Sequence, residues 1–330
     1  MPYLYGCFYK ESRDGQDWIA GRRWPRFSSY TFTEKDGRTH IETEGQPVDW
    51  YFLDSSPAVE GALFADFCNI EDQETCYHFL ELWGFPVDSH YPSLEVQFIE
   101  GQTGLDYILA SAATMRFLRV LFQTSRDNPM LLREFACLRR GFVGANFKGP
   151  DELQRMRDEF KKLQESGPEP GEAVVQFEFH PTDLSQWQGY WGAKAPDYDR
   201  ALTPLRRLSV EVSREDWLRN PDEALQQAAN KFLVCTVDEL MSSIRQGIVI
   251  SQAGDENALF EPVIKVREPW EDVVYGLYRE LTGAATVRTC PHPDCGKTFV
   301  AKRKSKMSCG EERCQQWVTR NKKKKQEGKR

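Results

Sequence analysis

Cys290-Pro-His-Pro-Asp-Cys295-Gly-Lys-Thr-Phe-Val-Ala-Lys-Arg-Lys-Ser-Lys-Met-Ser-Cys309-Gly-Glu-Glu-Arg-Cys314 contains two C-x4-C pairs with thirteen residues between them. A tetrahedral metal site needs four soft ligands converging from two such arms, and thiolate is the preferred donor of a structural Zn2+ site. Nine cysteines are spread over 330 residues, so four at matched spacing in one 25-residue window point to ligation rather than chance. Gly296, directly after Cys295, leaves the chain free to turn back so that amide N–H groups approach the sulfurs. The expectation is one structural Zn2+ held by Cys290, Cys295, Cys309 and Cys314. His292, inside the first pair, is the alternative to one of these ligands. Catalytic zinc keeps a position open for water, whereas four thiolates close the shell. Metal binding would then supply the folding energy of a segment too short to bury a core of its own.

The charge around this window is lopsided. Residues 288–330 carry 14 Lys and Arg against four Asp and Glu, a net of +10. The other 287 residues hold 29 basic and 46 acidic side chains, a net of −17. A short basic segment on an acidic body is a common way to contact polyanions. Lys297, Lys302, Arg303, Lys304 and Lys306 lie between or beside the cysteine pairs. Arg313, Arg320 and Lys322, Lys323, Lys324 and Lys325 continue into an expected helix, ERCQQWVTRNKKKK, with Trp317 and Val318 placed to pack on Phe299 and Val300. Lysines attract phosphate without reading sequence, while Arg303, Arg313 and Arg320 are suited to base edges. These residues form the candidate nucleic-acid surface; the alternative is a solvated charge run.

Upstream, 1–53 reads as β-rich, with Lys35-Asp36-Gly37-Arg38 as the turn of a hairpin between two alternating strands. Pro57 opens a helical stretch through Phe67. A helix at 72–83 carries Cys76, Phe79, Leu80 and Trp83 at helical spacing and stops at Gly84. A longer helix spans 103–125. Residues 151–165 are helical but highly charged, with few core anchors. GPEPG at 167–171 breaks the chain, AVVQFEF after it reads as a strand, and Trp187, Tyr190, Trp191 and Tyr198 gather in a loop-like stretch. A helix over 221–246 has Asn220 as N-cap, Pro221 at its first position and Gly247 as its stop. Ile248-Val-Ile and Pro262-Val-Ile-Lys-Val suggest a second hairpin, and 270–281 a last helix before the cysteines.

Common catalytic signatures are missing: HExxH, GxSxG, GxxxxGK[ST] and GxGxxG do not occur, and the five histidines are scattered. No apolar run approaches the ~18–20 residues of a membrane span. The start, MPYLYGCFYKESRDGQDW, has neither a basic n-region nor a sustained apolar h-region. A cytoplasmic protein with reduced cysteines is expected, with Cys7, Cys68, Cys76, Cys137 and Cys235 serving as small core hydrophobes.

Val287-Arg288-Thr289-Cys290, Pro293-Asp294-Cys295-Gly296, Phe299, Ser308-Cys309 and Cys314, followed by a basic helix, resemble the CGNR-type zinc finger that ends bacterial ABATE-domain proteins. The match covers about 285–325. In the body only Leu63-Phe64 through Phe67 and Trp83-Gly84-Phe85 are similar in style. That family is regarded as stress-induced transcription regulators with a mainly helical N-terminal domain and a DNA-contacting finger. Gln315-Gln316-Trp317 stands where the family's Gly-Asn-Arg would follow the last cysteine, and lysines replace arginines between the pairs.

The expected architecture is α+β: a β-rich segment over 1–53, a mainly helical body with β-hairpins over 54–284, a zinc finger over 285–320 and a flexible basic tail over 321–330. The expected function is nucleic-acid binding, DNA rather than RNA, by a transcription regulator whose acidic body senses a small-molecule or protein ligand. The rival is a protein-interaction or phage-defence factor whose zinc finger is purely structural. An enzyme housed in the body is a third reading without a motif to carry it.

Overall fold

The computed structural model describes residues 3–5, 9–13, 16–20, 23–27, 29–35, 37–43, 49–52, 62–85, 104–139, 150–180, 209–242, 244–251, 259–266, 269–282, 287–295, 297–301 and 306–327. The fold is α+β, and the chain forms two compact units, neither continuous in sequence. The first comprises Met1–Thr33, Ile41–Ile99 and Ser243–Arg330; the second comprises Glu34–His40 and Glu100–Ser242. The helical body expected over 54–284 contributes to both.

The first unit begins with β1 (Tyr3–Tyr5), β2 (Tyr9–Arg13), β3 (Gln16–Ala20) and β4 (Arg23–Arg26). β2 and β3 pair as a hairpin. β5 (Tyr30–Lys35) and β6 (Arg38–Thr43) form the expected hairpin; its turn, made by Gly37 at φ 72°, falls in Glu34–His40 and so counts with the second unit. β7 (Asp49–Phe52) returns to pair with β4.

Two short helices follow, α1 (Ala62–Phe67) and α2 (Gln73–Trp83). Asp72 caps α2: its carboxylate accepts from the Thr75 N–H at 2.9 Å while the Thr75 hydroxyl accepts from the Asp72 N–H at 3.0 Å. Gly84 ends the helix as expected, at φ 71° with its N–H bonded to the Leu80 carbonyl at 2.8 Å. Cys76, Phe79 and Leu80 are buried, and Phe67 meets Phe79 and Trp270 edge-on at 5.5 and 5.8 Å.

The second unit starts with α3 (Leu105–Asp127), a 3-10 turn (Pro129–Glu134), β8 (Ala136–Arg139) and α4 (Pro150–Ser166). It continues through β9 (Val174–Phe179), β10 (Val210–Ser213), α5 (Arg214–Arg219) and α6 (Pro221–Met241). The antiparallel sheet runs β10-β9-β8. GPEPG at 167–171 is a tight connection from α4 to β9, with Gly167 and Gly171 at φ 72° and 99°. α4 differs from its charged reading. Leu153, Met156, Phe160 and Leu163 recur at three- and four-residue intervals and are all buried. Phe160 touches both Phe177 and Trp217. The many charges occupy the other faces, so a count of charges hid a complete apolar stripe.

α6 also ends sooner than expected, at Met241. Asn220 caps it and Pro221 opens it as anticipated, but Gly247 lies in a strand opposite Val263. β11 (Arg245–Ser251) pairs with β12 (Leu259–Val266), and β1 adds in parallel on the other side of β12. The β-branched run Ile248-Val-Ile prefers a pleated surface, and pairing with β12 took Arg245 and Gln246 out of the expected helix. α7 (Pro269–Leu281) then packs on α1. Cys68, Cys76 and Cys137 are buried, Cys235 is half-buried, and burial pushes the thiols of Cys76 and Cys137 up to about 12, as inert core residues require. Cys7 and the aromatic stretch from Trp187 to Tyr198 lie outside the described residues.

Candidate metal centre

β13 (Val287–Thr289) and β14 (Thr298–Val300) form a small antiparallel hairpin in register Val287↔Val300 and Thr289↔Thr298. The first cysteine pair sits at its tip, tightened by the Cys290 N–H to the Lys297 carbonyl at 2.8 Å and the Cys295 N–H to the His292 carbonyl at 3.0 Å. The second pair opens α8 (Glu312–Glu327): Cys309 precedes the helix and Cys314 lies in its first turn. Gly310 between them has φ 107°, a conformation that side chains disfavour. Gly296, the glycine that sequence reasoning singled out, is outside the described residues.

All four sulfurs lie within 4.8 Å of one another, and Cys295 Sγ is 3.8 Å from Cys309 Sγ. Four ligands about 2.3 Å from a tetrahedral centre are necessarily about 3.8 Å apart, so this separation fits a thiolate-bound metal. A tetrahedral S4 donor set suits zinc or iron. Cys290 and Cys314 are buried with Phe299 and Ala301, and Cys295 and Cys309 pack against that cluster. Burial alone raises the Cys290 thiol, but the backbone N–H groups of Cys309 and His292 hydrogen-bond to it and the net direction is downward. Burial dominates at Cys309, which is raised despite the Glu311 N–H, and at Cys314, which is pushed up to about 12. A bound cation reverses that preference, because metal ligation requires the thiolates.

His292 is not in the cluster. Its Nδ1 accepts from the Asp294 N–H at 3.2 Å, and its ring meets Trp317 at 5.7 Å. Trp317 thus finds its ring partner in the first knuckle.

Two further contacts hold the finger. The Arg288 guanidinium donates to the Lys306 carbonyl at 3.1 Å, tying β13 to the stretch before the second pair. Asn69, just past α1, uses both ends of its amide on one residue of β14. Its Nδ2 donates to the Thr298 carbonyl at 3.0 Å, and its Oδ1 accepts from the Thr298 N–H at 2.8 Å. The finger therefore packs on the first unit as part of it. Nothing in the local sequence around Asn69 signals this.

Of the candidate nucleic-acid residues, Lys297 and Arg313 are exposed and both paired with Glu311. Lys306 is half-buried, its ammonium 5.3 Å from the centre of the Phe299 ring. Arg320 is exposed on α8, three residues beyond Trp317 and seven beyond Arg313, so the three share a face. Lys322, Lys323, Lys324 and Lys325 belong to α8, which continues to Glu327, so most of the segment expected as a flexible tail is helical. Lysine, glutamine and glutamate are good helix formers, which explains the extension. Lys302, Arg303 and Lys304 lie outside the described residues.

In the second unit a groove of about 210 Å³ is lined by Leu163, Trp217, Leu225 and the Arg133–Asp222 ion pair. It is smaller than the roughly 300–1,000 Å³ of most small-molecule pockets. Among the described residues, no helix is long and apolar enough to cross a membrane. Comparison with protein-family models, curated proteins and solved structures finds no match to this chain.

Proposed function

We propose that this chain is a nucleic-acid-binding protein of the bacterial transcription-regulator kind, in which one structural Zn2+ on Cys290, Cys295, Cys309 and Cys314 folds a finger that contacts DNA. The observation that carries the reading is the path of α8. Cys314 in its first turn belongs to the four-sulfur cluster, Arg313 stands beside it, and the same helix runs on through Arg320 and the four-lysine run. A metal that orders the first turn thereby orients a basic helix, and such a helix supplies the phosphate attraction of a DNA-binding element. The resemblance of 285–325 to the CGNR-type finger supports the same reading. The acidic body would then receive the ligand or partner that regulates it.

The test combines metal analysis with DNA binding. Purified without chelator, the protein should carry one equivalent of zinc. With about six phosphates neutralised, log K on duplex DNA should fall against log salt with a slope of roughly −5. DNA should outcompete RNA of the same length. A protein that binds neither at low salt refutes the proposal.

One observation favours the rival. The Asn69 clamp makes the finger part of the first unit's packing, which a purely structural zinc in a protein-interaction or phage-defence factor would also require. A zinc-loaded protein without nucleic-acid affinity would promote that reading.

A further inference from the structure

Glu311 stands one residue before α8 and its carboxylate reaches in two directions. Oε1 accepts from Lys297 Nζ at 2.7 Å, and Oε2 accepts from Arg313 Nε at 3.0 Å. Lys297 comes from the strand side of the finger, between Cys295 and β14, and Arg313 from the first turn of the helix. The side chains of Lys297 and Arg313 are 55 % and 60 % exposed and that of Glu311 is 35 % exposed, so the trio faces solvent. Two cationic donors converging on the two oxygens of one anion is also the arrangement that holds the non-bridging oxygens of a phosphodiester. Arg313 lies on the same helix face as Arg320, in line with the basic end of α8. Glu312 carries the same charge one residue on, but its carboxylate accepts from Gln316 Nε2 at 3.0 Å, along the helix.

We infer that Lys297 and Arg313 form a phosphate-binding pair of the finger, and that Glu311 fills it in the free protein as an internal stand-in that nucleic acid displaces. The inference rests on the nucleic-acid reading and specifies which cations of the finger meet the backbone first. Its consequence is electrostatic. A phosphate entering the pair expels a carboxylate, which must be rehydrated and regains a salt cation. That cation uptake offsets part of the counterion release that normally drives binding. The wild-type salt slope is therefore shallower than its cation count implies, and its low-salt affinity weaker.

Full-length wild type, Glu311→Gln and Glu312→Gln are compared on one duplex between about 50 and 200 mM salt. Both variants lose one negative charge, so the general field of the finger changes equally. Only Glu311→Gln frees the pair, while its amide carbonyl keeps one acceptor for the local geometry. The expected result is several-fold tighter binding by Glu311→Gln, with a slope steeper than that of Glu312→Gln by about 0.9, the contribution of one phosphate. Adding Arg313→Gln to Glu311→Gln should abolish the gain. Zinc content is measured on every protein and should stay at one equivalent. Equal slopes for the two single variants, with a wild type that binds, overturn this inference alone. Metal loss from Glu311→Gln also overturns it, by showing the carboxylate to be a brace of the finger. Failure of every protein to bind refutes the nucleic-acid reading and this inference with it.

Discussion

A methyl group at position 276 of α7 would fall 2.6 Å from both Cβ and Cγ of Phe64, closer than packed carbons tolerate. Gly276 is thus the contact point that lets α7 approach α1. Gly276→Ala should destabilise the first unit by about 1–3 kcal/mol, the usual cost of overpacking, read as a lower urea midpoint. Phe64→Leu in the same chain should recover little of the loss, because leucine keeps a Cβ and a Cγ where the added methyl would fall. Asp66, on the same short helix, gives a pH-dependent prediction. Burial raises its carboxyl, only partly opposed by the Trp83 indole N–H donating to it at 2.9 Å. The folded state therefore holds the proton more tightly than the unfolded chain. Stability from this group declines as pH rises from the ordinary 3.8 through the raised folded value. Asp66→Asn keeps an acceptor for Trp83 and removes the buried charge. It should be more stable than wild type at pH 7, and the advantage should shrink as the pH falls towards 3.8 and below. Thermal melts across that range would show it, and a constant difference would argue against a buried carboxylate.

Between elements, the decisive link runs from α1 to β14. Thr298 is 6 % exposed, and its backbone N–H and carbonyl both hydrogen-bond to the Asn69 amide. Asn69→Ala leaves two buried backbone groups without that partner, a loss of about 1–3 kcal/mol for each group left unsatisfied. Because β14 closes the hairpin that carries Cys290 and Cys295, the loss should appear in metal retention. At tenfold per 1.4 kcal/mol, a chelator should extract metal from Asn69→Ala at about tenfold lower concentration or less. Unchanged extraction would mean that the hairpin holds its shape without the clamp.

At the scale of the molecule, the finger belongs to the first of two units, so metal removal should act on only one of them. Chelation should release amide protection in β13, β14 and the start of α8, and weaken it in α1 through the lost Asn69 contacts. α3 and α6, joined within the second unit by the Ser125 hydroxyl to Asn230 at 2.7 Å and Gln226 to the Ser125 carbonyl at 2.6 Å, should keep theirs. Hydrogen exchange with and without chelator checks this directly. Loss of protection across both units would show that the metal supports the whole fold. An intact α1 would confine its effect to the finger.

What could be read without the fold were features written in neighbouring residues. The two C-x4-C pairs, the Lys35–Arg38 turn, the Gly84 stop and the Asn220–Pro221 start each depend on a few adjacent side chains and backbone preferences. For that reason the α+β class and the four-sulfur cluster were legible from the chain. The stripe of α4 was also present in the sequence at 153, 156, 160 and 163, but intervening charges masked it until burial picked out the apolar face. The end of α6 was a contest between helix propensity and strand pairing, and β12 settled it from a distance. Asn69 and Thr298 lie 229 positions apart, and no local pattern marks either. Glu311 adjoins the cysteines, yet its hold on Lys297 and Arg313 exists only once the hairpin and α8 close around the sulfurs. Spacing determined which residues could converge; only the tertiary structure, by bringing distant hydrogen-bonding groups and charges together, decided what the finger rests on and which of its cations are already paired.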